Sequence, residues 1–293
     1  MSLKDKEKKL FHYTSAKGLT GIITNQKIWA TAYHCTNDRS EFTYSKEILD
    51  NLFRAAISSR FPIAETKDIE KLIKKLNFLV YSKLVQNFFE HPSFNHLIIC
   101  FTSESDDPDV NENGLLSQWR GYGKDGGYAI QFDRESLNFE KENIGKVVYG
   151  FHNKNEWTEK VLKNYIIPWC HKFDNFDDIR PDSFIPKNNR KTLDLLCDLC
   201  EMAVFTKNPH FKEENEYRYL LTVRSNSRFN YLDRDGLIVP YVPVDIDATT
   251  CIKRIIVGPS GRVDDRVRSV KMLLKSKKLD IKVTKSAIPY DKG

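Results

Sequence analysis

The chain has 293 residues, 40% hydrophobic, 12% aromatic and 29% charged, which excludes a disordered or fibrous polymer and suffices for a real core. Its net charge of +6 is the surplus of 46 Lys and Arg over 40 Asp and Glu, a mild imbalance that allows nucleotide or nucleic-acid binding without demanding it. The charged start has no apolar run behind it, no segment reaches the roughly 18–20 apolar residues that span a bilayer, and four of the six cysteines sit in apolar stretches, so a cytoplasmic protein is expected.

Lys9 to Tyr13 predicts a first strand, after which Ser15 is placed to cap a short helix carrying Leu19, Ile22 and Ile23. Ile28–Thr31 predicts a second strand. Asp38 and Glu41 have capping-box spacing ahead of a helix bearing Phe42, Ile48, Leu49, Leu52 and Phe53. From about Thr66 to Phe89 apolar residues recur every three or four positions, predicting a longer helix with one core-facing stripe. Leu97–Phe101 is a continuous apolar run, the mark of a buried central strand. Tyr128–Phe132, Lys146–Tyr149, Tyr217–Val223 and Arg254–Val257 predict further strands, and roughly 154–172 and 189–205 predict helices. Val263, Val267, Val270, Leu273 and Leu274 share one face of a last helix, inside a strand–helix–strand unit. The expected organisation is one α+β domain over 1–293, with helical insertions at about 40–92 and 152–206.

Gly121-Tyr122-Gly123-Lys124-Asp125-Gly126 matches G-x-G-x-x-G in letters. A dinucleotide fingerprint opens a helix, however, and here a strand follows, so a turn into Tyr128–Phe132 is expected. Cys197-x-x-Cys200 has no second ligand pair and shares a helical face with Leu193, Leu196 and Val204, so packing is expected there and no metal. Gly258 to Gly261, ahead of the last helix, suits either an anion or a plain turn.

Four clusters carry the polar chemistry. His12-Tyr13-Thr14-Ser15 ends a strand in donors and acceptors, for a ligand or for a structural histidine and a helix cap. Phe101-Thr102-Ser103 puts two hydroxyls where a central strand emerges. Ser117 to Gly123 gathers Trp119, Arg120 and Tyr122 among flexible backbone, suited to a flat ring beside a phosphate or to a turn around a half-buried indole. In Glu214-Asn215-Glu216-Tyr217-Arg218, strand alternation puts Glu214, Glu216 and Arg218 on one face, where two carboxylates repel unless a cation lies between or beyond them. A solvated face is the plainer alternative.

In order along the chain these residues resemble a widespread bacterial family of uncharacterised function. Its members carry a H-Y-T/S start, a C-F-S strand, a W-[RS]-x-Y-G segment and a late K-x-x-x-F-x-x-E-x-E-x-R element, here Lys207, Phe211, Glu214, Glu216 and Arg218. Asn37-Asp38-x-x-Glu41-Phe42 is similar to the family's N-D-P-x-E-F turn, with Arg39 in place of proline. The opening pattern is also similar to the ADP-ribosyltransferase superfamily. That resemblance implies a split, mixed or antiparallel β-sheet with NAD as substrate in the cleft between its halves. It implies His12 on a ribose hydroxyl, with Tyr13 and Thr14 beside it, and Thr102 or Ser103 bracing the glutamate. Tyr122 or Tyr128 would stack on nicotinamide, with Trp119 beside them and Arg120 on the diphosphate. Glu216 would stabilise the oxocarbenium-like ribose left by departing nicotinamide, and Glu214 would orient or deprotonate the acceptor.

The leading expectation is therefore an ADP-ribosyltransferase, a toxin or phage-defence effector, acting on a protein or nucleic acid, with no membrane partner. An NAD glycohydrolase is its close variant. A non-catalytic nucleotide sensor and a metal-independent nuclease using His12 with Glu216 are the alternatives.

Overall fold

The computed structural model describes residues 9–35, 40–85, 95–122, 126–140, 143–151, 155–185, 189–223, 229–234 and 236–289. The chain opens with β1 (Lys9–Thr14), α1 (Ala16–Asn25) and β2 (Lys27–Ala32), where the apolar spacing predicts them. Ser15 caps α1 through its Oγ, which accepts a hydrogen bond from the Gly18 amide at 3.2 Å. The helices α2 (Ser40–Arg60) and α3 (Thr66–Asn77) follow. The capping-box residue Asp38 lies outside the described residues, as does the rest of the Asn37-Asp38 turn. The stripe of α3 is buried at Ile69, Leu72, Ile73 and Leu76. The helix predicted as far as Phe89 changes pitch after Asn77: it widens into a π-helical stretch over Phe78–Val85, where Phe78 is 60% exposed, and the predicted end at Phe89 lies outside the described residues.

The buried run is β3 (Asn95–Ser103), followed by α4 (Leu116–Tyr122), β4 (Tyr128–Asp133), β5 (Ile144–Lys146) and β6 (Val148–Tyr149). Lys146–Tyr149, predicted as one strand, is two. Val147 donates its amide to the carbonyl of Glu216, the first residue of a later strand, and beyond that point the chain takes a different partner. Then come α5 (Glu156–Val161), α6 (Asn189–Phe205), β7 (Thr206–Lys207), β8 (Glu216–Val223), β9 (Asn230–Arg234) and β10 (Leu237–Asp245). The chain closes with β11 (Ile252–Val257), α7 (Val263–Ser276) and β12 (Lys282–Lys285). The sequence reading missed β9 and β10, and within β10 Pro240 and Pro243 argue against a strand. Pro240 pairs only toward β9 and Pro243 only toward β2, so each can turn its N–H-less nitrogen to an open side.

Ten strands form one mixed, largely antiparallel sheet in the order β12-β11-β4-β1-β3-β2-β10-β9, with β8 on the other edge of β3 and β5 beyond it. The one parallel pair within it is β11 with β12. The sheet forks at β3. One edge of β3 pairs with β8 from Asn95 to Thr102. The opposite edge is shared: β2 takes its beginning (Ala32↔Leu97, Thr31↔Ile98) and β1 its end (Phe11↔Thr102, Leu10↔Ser103). Between them Ile99, Cys100 and Phe101 have a strand on one side only.

Leu10, Ile23, Ile28, Phe101, Ile130 and Ile255 belong to the main apolar cluster of the sheet and the helices α1 and α7. A second cluster is helical. Here α2 and α3 pack with α5 and α6, so the two predicted insertions, far apart in sequence, share one core. Phe53 lies inside it, edge-on to Trp169 at 6.0 Å and to Phe184 at 4.9 Å. Phe53→Ala is expected to cost about 3–5 kcal/mol in urea unfolding; a loss under about 1 kcal/mol would show that this cluster contributes little to the fold.

Candidate functional site

His12 is the first residue of β1 past its pairing with β3, so it stands at the fork. Its Nδ1 lies 2.9 Å from the Cys100 carbonyl oxygen, on the stretch of β3 between the segments that β1 and β2 take. A carbonyl only accepts, so Nδ1 carries the proton and Nε2 of the neutral ring is an acceptor. Burial lowers the pKa of His12 more than the carbonyl bond raises it, which keeps the imidazole neutral at pH 7.

Across β3, the register places Thr102 opposite Glu216 and Cys100 opposite Arg218, so these side chains share a face. Glu216 is the hub of a buried ionic cluster. Arg218 grips both of its oxygens, Nε to Oε1 at 2.9 Å and Nη2 to Oε2 at 2.8 Å, and donates Nη1 to the Val204 carbonyl at 2.7 Å. Lys207 donates to Glu216 Oε2 at 3.2 Å and to Glu214 Oε2 at 2.7 Å, with its Nζ 4.9 Å from the Phe211 ring centre. Lys207 is the cation that the two carboxylates require. Glu214, however, does not share the strand face. It ends a 3₁₀ turn, Pro209–Glu214, and Asn215 at φ 43° reverses the chain before β8 begins.

The two carboxylates are tuned apart. Burial alone would raise Glu216, but the charges of Arg218 and Lys207, and hydrogen bonds from Arg218 and the Cys100 thiol, outweigh it and hold its pKa at about 2. Glu214 goes the other way: burial and the Glu216 charge raise it against the pull of Lys207. Glu214 also keeps 26% of its side chain exposed, whereas Glu216 keeps 8%.

His12, Tyr13, Thr14, Tyr122, Tyr128, Glu214 and Glu216 line one cleft of about 840 Å³. Thr102 and Ser103 are buried behind it, and Ser103 Oγ donates to the Asn215 carbonyl at 3.0 Å, bracing the turn ahead of Glu216 rather than its carboxylate. Trp119 is not a ligand platform. Its indole is buried, donates Nε1 to the Asn113 carbonyl at 3.0 Å, and stands edge-on to Tyr13 at 4.8 Å. The phenol of Tyr13 in turn accepts from the Leu115 amide at 2.8 Å. Arg120 is exposed and is not among the described residues lining the cleft. Gly121 and Tyr122 close α4 instead of forming a turn, while Gly126 at φ +80° takes the turn into β4. Cys197 and Cys200 pack with Leu193 and Leu196.

Sequence reasoning left Lys207 and Arg218 out of the site, although the spacing of the late motif held both. It also missed Tyr149, whose hydroxyl accepts from the Glu216 amide at 2.8 Å, and the cleft residues Trp29, Arg234 and Arg266. No local signal marks those three, because only the folded sheet brings them to the fork.

The fold and the cleft define an α+β protein whose forked, largely antiparallel sheet carries a buried ionic cluster beside a neutral histidine. Residues 118–219 match the model of a family described as a protein of unknown function (DUF2971). The match runs from Gln118 through Tyr219, so it contains Trp119 and the whole Lys207-to-Arg218 cluster and leaves His12 outside it. No curated protein and no solved structure matches the chain. Among the described residues no helix is long and apolar enough to cross a membrane.

A carboxyl with an ordinary pKa of 4.5 when unfolded and about 2 when folded stabilises the native state fully above pH 4.5 and stops doing so as pH falls toward 2. Unfolding free energy is expected to drop across that window by about 3 kcal/mol from this group. Glu214, shifted upward, opposes it only above pH 4.5. Glu216→Gln removes the carboxylate that Arg218 grips and one of the two that Lys207 pairs, and is expected to cost about 3–5 kcal/mol at pH 7 while flattening the acid slope. Urea titrations from pH 2 to 7 check both; an unchanged slope in the variant would remove Glu216 as its source. Nitrogen-15 NMR of His12 is expected to show the Nδ1–H tautomer, predominantly neutral at pH 6.5; a ring predominantly protonated at pH 6.5 would overturn that assignment.

Proposed function

We propose that the fork cleft binds NAD and that the protein is an NAD-dependent ADP-ribosyltransferase, passing ADP-ribose to a protein or nucleic-acid acceptor. The observation that carries this reading is the meeting of His12 and the Glu214–Glu216 pair in one cleft, where the sheet splits. These are the groups that the resemblance to the transferase superfamily assigns to NAD, and 204 positions separate the first from the last.

The neutral Nε2 of His12 accepts a hydrogen bond from a ribose hydroxyl, while the aromatic walls at Trp29, Tyr122 and Tyr128 offer faces to a flat ring. Cleavage of the glycosidic C–N bond sends its electron pair out with nicotinamide and leaves an oxocarbenium-like ribose. Glu216, ionised at every working pH, supplies fixed negative charge near that carbon, attenuated by its two cations. Glu214, the more exposed carboxylate and the one with the raised pKa, takes the proton of the attacking acceptor. With water as acceptor the same steps make a glycohydrolase.

One observation favours a second reading, a nucleotide sensor without chemistry: Glu216 is already engaged by Arg218 and Lys207. Nicotinamide release from NAD with and without cell lysate, beside calorimetric NAD binding, separates the two. The transferase is expected to release nicotinamide with lysate and to slow about 100-fold or more in Glu214→Gln, with NAD affinity kept. Lysate-independent release marks the glycohydrolase, and binding without release marks the sensor. Neither binding nor release would end the NAD reading. Glu214 is the residue to substitute, since loss of Glu216 disturbs the fold itself.

A further inference from the structure

We propose that Lys17 and Arg266 form a diphosphate subsite on the wall of the same cleft, so that the ligand is a nucleoside diphosphate or a molecule built on one. This rests on the nucleotide reading of the cleft and names the residues that make it selective.

The charges point there. On the floor, Lys207 and Arg218 are neutralised by Glu214 and Glu216. Among the other described residues lining the cleft, Lys17, Arg234 and Arg266 face a single carboxylate, Asp233, an excess of two positive charges. Arg234 donates to the Cys35 carbonyl at 3.3 Å, which ties it to the turn after β2, and Asp233 accepts from the Gly236 amide of its own hairpin at 2.9 Å. Lys17 and Arg266 have no carboxylate partner among the described residues. A diphosphate carries the charge that balances them.

Both cations sit where the local backbone disfavours positive charge. Lys17 lies in the first turn of α1 and Arg266 just inside the N-terminal end of α7, and a cation at that end of a helix opposes the macrodipole. An anion held between them turns both unfavourable placements into favourable ones. The backbone is shaped around the guanidinium as well. Gly126 sits at φ +80°, and a Cβ there would come within 2.7 Å of Arg266 Nη1 and 2.5 Å of the Pro259 carbonyl oxygen. The positive φ and the Pro259 carbonyl demand glycine at this turn, and Arg266 packs against it.

Calorimetry of the full chain with ADP, AMP and inorganic pyrophosphate tests this. ADP and pyrophosphate are expected to bind, and AMP more weakly. Lys17→Ala and Arg266→Ala are each expected to weaken ADP roughly 10-fold or more, consistent with loss of one charge-assisted contact. Lys275→Ala at the far end of α7 is expected to leave binding unchanged. ADP affinity insensitive to both cation substitutions, loss seen only in Arg120→Ala, or no binding of ADP or pyrophosphate by the parent would each overturn the subsite. ADP binding that depends on Lys17 and Arg266 in a protein that releases no nicotinamide keeps the subsite and removes the transferase. Nicotinamide release indifferent to both residues does the reverse.

Discussion

The ion cluster around Glu216 is the constraint on which the rest of this architecture turns. A carboxylate with 8% of its side chain exposed and a guanidinium with 1% would each cost several kcal/mol to bury alone. They are tolerable only because Arg218 meets both oxygens in a fork geometry and Lys207 closes the remaining side. The same contacts fasten separate elements. Arg218 holds the end of α6 through Val204, Lys207 places β7, and Glu216 begins the strand that pairs with the whole length of β3. Apolar residues of the same volume are often as stable in such a place, so the charges themselves are the feature to be accounted for at the cleft floor.

The fork follows from competition for one strand edge. With β1 and β2 both antiparallel to β3, they run parallel to each other, and α1 joins them as a crossover. Neither can pair with the middle of β3 once the other has its end. On that stretch of β3 the His12 ring hydrogen-bonds the Cys100 carbonyl in a partly buried place. One hydrogen bond therefore does two things: it completes the sheet where the ladder stops, and it fixes which imidazole nitrogen faces the cleft. A structural histidine and a ligand-facing one, alternatives in the sequence, are the same residue in the fold.

The polar motifs divide accordingly. Trp119 and Tyr13 look from their composition like ligand platforms, and both serve packing: Gly114 and Gly258 are close against the indole, where a Cβ would come within 2.6 to 2.8 Å of its ring. Residue type alone does not separate an aromatic that faces a ligand from one that closes a core, because both want a flat apolar face and a polar tip. The carboxylate pair was read as a strand face, but the left-handed Asn215 puts Glu214 on a turn and makes it the more exposed of the two.

The sequence by itself determined the class and the local elements: β1, α1, β3, β4, β8 and α7 follow from apolar period and caps, which are properties of neighbouring residues. It also determined that Glu214 and Glu216 need a cation, and it held Lys207 at a spacing that supplies one. Tertiary pairing settles where β9 runs and where β10 runs despite its prolines, that the two helical stretches share one core, and that His12 and Arg266 join the carboxylates in one cleft. The physical reason is range. Strand and helix periodicity act over a few residues, whereas pairing partners and cleft walls are chosen by side chains more than a hundred positions apart, and nothing local records that choice.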